Sequence, residues 1–335
     1  MNANPKTHIE PAMSHGQFYK ADELVDLIYQ DFGGFHPGAR AVHANGRIYA
    51  GTFIATPAAK TLSRAAHFQG NAVPVTTRFS GASGDPDVTA TATVAMATRF
   101  YLPNGTVTDL IGITLLAFPA RTPDDVIALL TAARPDEATG TRDAAKLKSF
   151  LLSRPAAARV IKLLESGLAP VSFAQVSYRP LHAFRFVNEA GAARWARYHW
   201  EPEAGIAGQP VADMAQQPSN FLFDELERRL GQATVAFKLD LQMAQEDDPL
   251  DDPSAFWPED RERITVGRLE LNRPITLDEI GDPLMMHDPT KVTDGIEISP
   301  NDQIMAARRG AYLVSAAKRS GGWQACPFAK LYNNE

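Results

Sequence analysis

Cysteine is almost absent. Cys326 is the only one in 335 residues, so no disulfide forms within the chain, and neither a cysteine zinc site nor covalent cofactor attachment through a Cys-x-x-Cys-His motif is available. Basic runs are missing too, and the formal net charge is −6, which argues against nucleic acid as the main partner because phosphate binding needs clustered Lys and Arg. No uninterrupted apolar stretch approaches membrane-spanning length. Met1 to Ala12 are polar, with Pro5 and Pro11, and lack the apolar core of a signal peptide. A soluble, cytoplasmic protein with no membrane partner is therefore expected. The acidic stretch Glu246 to Asp252 has neither the spaced oxygen ligands nor the turn glycine of a calcium loop and reads as a solvated loop. Asp31-Phe32-Gly33 stands without kinase companions, and Gly81-Ala82-Ser83-Gly84 lacks the Lys-Ser/Thr ending of a phosphate loop; both read as turns.

What is present is an ordinary globular composition, 44% hydrophobic and 21% charged. Strand signals occur at Arg47–Pro57, Val73–Ser80, Thr89–Leu102, Thr106–Phe118, Ala183–Asn188, Ala192–Trp200, Thr234–Met243 and Ile264–Asn272, each rich in β-branched and aromatic residues. Helical patterns cover Ala21–Phe32, Pro123–Arg134, Asp143–Ser166, Asn220–Leu230 and Asn301–Lys318, with Pro155 interrupting the third. Eight strands with helices between and after them predict an α+β fold, a closed antiparallel eight-stranded β-barrel carrying helices on its outside. Residues 1–39 read as an N-terminal arm and helix, 40–320 as one barrel unit, and 321–335 as a tail. The charged, proline-rich connection from Gln245 to Glu262 reads as a wrapping loop.

The chemistry-bearing residues gather in a few places. A helix turns by about 100° per residue, so Tyr312 lies roughly 40° from Arg308, and Arg319 returns to within about 20° of it. One helical face thus carries Arg, Tyr and Arg. Such a pair is an ordinary packing feature by itself, but a guanidinium one turn away favours a phenolate, and a phenolate is a good ligand for ferric iron. Near the other end lies Arg40-Ala41-Val42-His43. Strand alternation puts Arg78 and Ser80 on one face, where Ser80 could hold the His43 imidazole. Arg40, Arg78 and Arg319 supply planar, permanently charged forks suited to carboxylates, which is what haem propionates present. Strict alternation would place Arg40 and His43 on opposite faces, so a bend between them is required. His182 and His199, near Arg and Trp in a hairpin, read as packing or channel-lining residues.

These segments resemble the haem-binding core of the monofunctional catalases, in the short, catalase-related peroxidase branch. The match runs in order through Arg40-Ala-Val-His43-Ala-Asn-Gly46, Arg78-Phe79-Ser80, Thr98-Arg99-Phe100-Tyr101, Asp109-Leu110-Ile111-Gly112, His182 to Asn188, Val266 to Arg273, Gly295 to Pro300 and Arg308-x-x-x-Tyr312…Arg319. The resemblance implies a non-covalently held haem b. Tyr312 would be the proximal iron ligand with Arg308 supporting it, His43 the distal acid/base oriented by Ser80, Arg40, Arg78 and Arg319 the propionate partners, and Phe118 the distal-pocket phenylalanine. It also implies a short N-terminal arm and no counterpart of the larger relatives' C-terminal domain, which favours a monomer or homodimer over an arm-exchanged tetramer.

One departure matters. Larger catalases carry a distal asparagine where this chain has Ile113. Losing a hydrogen bond to a reacting group costs about 1–3 kcal/mol, roughly ten- to a hundredfold in rate, so dismutation of hydrogen peroxide should be weak and reduction of peroxides by a small-molecule electron donor should dominate. Thr114 is the nearest polar residue but would point the other way along a strand. Two alternatives stay open: an enzyme that rearranges fatty-acid hydroperoxides, as allene-oxide-forming relatives do, and a non-catalytic haem binder.

Overall fold

The computed structural model of the chain describes residues 15–87, 91–136, 139–214 and 216–328. Most of the expected arm before residue 15, the start of the expected strand at Thr89 and Ala90, and the tail from 329 to 335 lie outside the described residues.

Nine antiparallel strands form one sheet: β1 (Gly46–Ala55), β2 (Val73–Gly81), β3 (Val94–Tyr101), β4 (Val107–Ile113), β5 (Ala183–Val187), β6 (Ala193–Pro202), β7 (Val235–Met243), β8 (Arg263–Ile275) and β9 (Ile296–Ile298). Their order is β9-β5-β6-β7-β8-β1-β2-β3-β4. One face of the curled sheet is packed with aromatics. Tyr49 and Phe53 of β1, Phe79 of β2, Phe100 of β3, Trp200 of β6 and Phe237 of β7 are fully buried there and meet edge-on or tilted, the preferred geometry for rings carrying a quadrupole. Gly51 sits where the β1–β8 register shifts, and a Cβ there would overlap the carbonyl of Glu270. That bulge bends β1 around the core.

The sheet does not close. β4 and β9 are its two edges. One isolated bridge joins Ile113 to Arg179 and another joins Tyr178 to Trp200, so a two-residue stretch spans the gap between β4 and β6 without forming a ladder. Next to it stand Pro180, which has no N–H to give, and Leu181, held at φ +52°. This stretch cannot extend into a strand, and Ile296–Ile298 adds a ninth strand on the β5 edge. The result is an open nine-stranded half-barrel, which corrects the expected closed eight-stranded barrel.

Helices cover the outside. Among the longer ones are α1 (His15–Asp31), α2 (Pro123–Ala133), α3 (Ala144–Ser153), α4 (Pro155–Ser166), α5 (Phe221–Leu230) and α6 (Gln303–Arg319). Thr122 caps α2, accepting from Asp125 N at 3.2 Å, and Pro123 follows in the first turn. Pro155 breaks the third helical pattern as expected, standing in the first turn of α4. α1 lies against α6, with Ala21, Val25, Tyr29, Ala41 and Val314 in one apolar cluster. The 245–262 loop is held by local bonds. Asp248 takes two bonds from Arg261, at 2.8 and 3.0 Å, and Trp257 donates to Pro249 O at 3.0 Å. Asp248 is thus committed to Arg261, and no cluster suited to a metal ion exists among the described residues. None of the described helices is long and apolar enough to cross a membrane.

Candidate active site

The cross-strand register builds a platform on the sheet face opposite the aromatic core. Residues paired directly across antiparallel strands share a face. Gly46, Ser80, Ala95 and Ile113 form one row, Ile48, Arg78, Ala97 and Ile111 the next, and Ala50, Thr76, Arg99 and Asp109 a third. The platform is therefore small and apolar in the middle, with Arg78 and Ser80 on one side and Ile111 and Ile113 on the other. Arg99 and Asp109 anchor its border through two bonds of 2.8 and 2.9 Å, both side chains almost fully buried.

The Arg40 to Asn45 segment folds over this platform as a loop, not a strand. His43 adopts φ +59°, a left-handed conformation uncommon outside glycine. This is the bend that alternation required. The loop is docked on α6 by Ala41 N, which donates to Ser315 Oγ at 3.3 Å. It is docked on the sheet by Arg78, whose Nη2 donates to the carbonyls of His43 at 2.9 Å and Ala44 at 3.2 Å.

His43 Nδ1 lies 2.9 Å from Gly81 O, one residue beyond the serine to which sequence reasoning assigned this bond. A carbonyl only accepts, so Nδ1 carries the proton and Nε2 is left with a free lone pair. Burial pushes the imidazole down to about 4, and the guanidiniums of Arg78, Arg40 and Arg308 push the same way, against the raising effect of Gly81 O. The ring is neutral near pH 7.

α6 presents Arg308, Tyr312 and Arg319, half-buried. Arg308 Nη2 donates to Tyr312 Oη at 2.9 Å. Tyr312 packs with Met286, Leu284 and Leu313. Asp302 caps α6, accepting from Met305 N at 2.9 Å, and its other oxygen meets His182 Nδ1 at 2.6 Å. His182 lies within electrostatic reach of Arg308 and is pushed down by burial more than Asp302 raises it. Sequence reasoning missed this pairing; the available signal was an Asp at the predicted start of the helix, but its partner lies 120 residues away.

Arg40, Arg78 and Arg319 converge with a common peculiarity. Arg40 and Arg319 donate to the carbonyls of Met285 and Leu284, and Arg78 to those of the His43 loop. None of the three has a carboxylate within ion-pair distance among the described residues, and Arg319 Nε is buried without a partner. Burial lowers all three, Arg78 to about 9, and Arg319 adds repulsion at both Arg40 and Arg78. Buried charge without a paired carboxylate is costly, and these three guanidiniums, within electrostatic reach of one another, would be relieved by an anion. Phe118 stands in the loop after β4, its N–H bonded to Pro253 O at 2.9 Å. Thr114 Oγ1 accepts from Val94 N at 3.1 Å.

A sequence profile named Catalase matches residues 28–328. The chain belongs to the catalase family. It is 38% identical to the catalase-related peroxidase of Mycolicibacterium paratuberculosis, over 91% of this chain and 97% of that protein. To the catalase-related peroxidase of Synechococcus elongatus it is 32% identical, over 90% and 89%. Catalase-2 of Bacillus subtilis is 28% identical over 84% of this chain but only 44% of its own length. The fold superposes on a bacterial catalase with a TM-score of 0.75 at 21% identity, covering 99% of this chain and 66% of that one, and on catalase A of Saccharomyces cerevisiae with the same score at 20% identity, covering 87% and 63%. Family membership implies haem, and the residues fit it: the platform offers an apolar surface, the three guanidiniums without a paired carboxylate suit a dianionic edge, and a hydrogen-bonded phenol and a neutral imidazole lie in the same neighbourhood.

Proposed function

We propose that this chain is a haem b peroxidase that reduces hydrogen peroxide or organic hydroperoxides with a small-molecule electron donor, has weak catalase activity, and works in the cytoplasm as a monomer or homodimer. The reading is carried by one observation: Arg40, Arg78 and Arg319, none with a paired carboxylate, lie in one neighbourhood with the Arg308–Tyr312 pair and His43. Haem, when bound, supplies the redox centre at which the peroxide O–O bond is broken.

The rest falls to the protein. Arg40, Arg78 and Arg319 would hold the two propionates by charge-assisted forks. Tyr312 would bind the haem iron through its phenolic oxygen, and Arg308 aims positive charge at that oxygen. His43 Nε2 takes a proton from the incoming peroxide and returns it to the oxygen that departs, a base-then-acid cycle open to a neutral imidazole. Gly81 O, by holding Nδ1–H, fixes the tautomer, and Ser80 lies beside it in the same strand. Phe118 would close the distal side. Ile113 presents no hydrogen bond to a second peroxide, which supports donor oxidation over dismutation.

An absorption spectrum of the haemin-loaded protein tests this, repeated after hydrogen peroxide and then after an aromatic donor. A Soret band that changes on peroxide and returns quickly only with donor is expected. Vigorous oxygen release without donor overturns the peroxidase assignment, and no Soret band after haemin supplementation overturns the site.

A further inference from the structure

The stretch from Leu284 to Asp288 crosses between the platform and α6, and its peptides meet the arginines one after another. Leu284 O accepts from Arg319 at 3.1 Å, Met285 O from Arg40, and Met286 O from Arg99. The next residue is His287. It is 5% exposed, and its Nε2 is buried with no hydrogen-bond partner. Arg99, Arg40, Arg78 and Lys291 all lie within electrostatic reach of it. A buried imidazole nitrogen without a partner is costly, and so is the unpartnered Nε of Arg319, which reaches this stretch from α6. Both nitrogens lie beside the guanidiniums that lack carboxylates. Four basic side chains, two of them with orphaned nitrogens, therefore converge where the proposed function puts the acidic edge of the haem.

We propose that His287 is a haem-binding residue, donating Nε2–H to a propionate carboxylate held by Arg40 and Arg78. The assignment rests on the proposed function. It accounts for a buried imidazole nitrogen left without a partner next to Met285 and Met286, where an aliphatic side chain would fill the space without leaving a nitrogen unpaired. A carboxylate satisfies the imidazole and relieves the repulsion among the arginines together.

The test is the rate at which haemin leaves the loaded protein for excess apomyoglobin, measured for wild type, His287→Phe and His287→Gln, with haemin and with its dimethyl ester. A hydrogen bond to a charged group predicts about tenfold faster loss of haemin from His287→Phe. His287→Gln, which keeps a side-chain N–H donor, should stay close to wild type. With the dimethyl ester, which carries no carboxylate charge, the gap between wild type and His287→Phe should shrink to near nothing. Equal rates for wild type and His287→Phe with haemin overturn the assignment. So does equal acceleration with both haemins, since that shows a packing role only. If His287→Phe does not load, the comparison of wild type with His287→Gln on the two haemins decides in the same way. Uptake of haemin by wild type tests the proposed function separately: a chain that takes up none overturns that function, whereas a chain that loads but shows no His287 effect overturns this assignment alone.

Discussion

Arg78 donates to the carbonyl of His43 at 2.9 Å, so one guanidinium holds the peptide that carries the imidazole. The two groups assigned to propionate binding and to proton transfer are therefore mechanically one unit. Gly46 makes it possible, because a Cβ at that position would overlap the Arg78 guanidinium.

Gly46→Ala should displace Arg78 and disturb both roles. Overpacking a well-filled site costs about 1–3 kcal/mol, so the urea midpoint should fall together with peroxide turnover. An unchanged midpoint and turnover would mean that Arg78 has another place to go.

The acid limb of peroxide turnover reports on His43. Its neutral form is the base, and burial holds its pKa at about 4. The second-order rate with peroxide should stay flat from pH 8 down to about pH 5 and drop only as pH approaches 4. His43→Ala should lose about 10²–10⁴-fold in rate and lose the inflection too, with the haem spectrum retained. An inflection near 6.5 in wild type would contradict the buried environment.

Ile113→Asn places an amide on the platform beside Ala95 and Ser80. Oxygen release from hydrogen peroxide alone should rise by about ten- to a hundredfold, measured with an oxygen electrode, while donor oxidation changes less. No gain would show that the apolar residue is not what limits dismutation.

Stability should fall on mild acidification. His43, His67, His182, His199 and His287 are all pushed below their ordinary value by burial, His67 and His199 to about 3. Between roughly pH 6.5 and 4 the unfolded chain binds protons at these sites and the folded chain does not, so stability is complete above 6.5 and is lost as pH falls. Asp22 and Asp288, whose carboxyls burial raises, take up protons first in the folded chain and act against this trend. Urea midpoints taken from pH 8 to pH 5 should decline steadily, and a flat series over that range would rule out neutral burial of these rings.

Much of the architecture was legible. All eight expected strand segments correspond to strands of the main sheet, because their alternation places Tyr49, Phe53, Phe79 and Phe100 on one face. Pro155 marked a helix boundary for the reason its ring always does. What was not legible depends on contacts distant in sequence. Ile296–Ile298 is too short to carry a period, and it pairs with β5 only because the fold brings it there. The openness of the sheet follows from Pro180 and Leu181 at a seam whose partners lie in β4 and β6. In the site, the arginines, Tyr312 and His43 stood out by residue type and order, but the left-handed turn at His43 leaves no mark in composition, and a bond to Gly81 O depends on a backbone atom that every residue possesses.

Ile113 is joined to Arg179 by two backbone bonds, of 3.1 and 2.8 Å, at the seam where β4 reaches towards β6. Its amide and carbonyl are spoken for, whatever residue stands there. Chemistry and architecture are thus carried by separate parts of one amino acid: the main chain is a fixed joint, and the side chain is an interchangeable fitting. On the proposed function, exchanging that fitting alters the balance of reactions on the platform without reopening the joint.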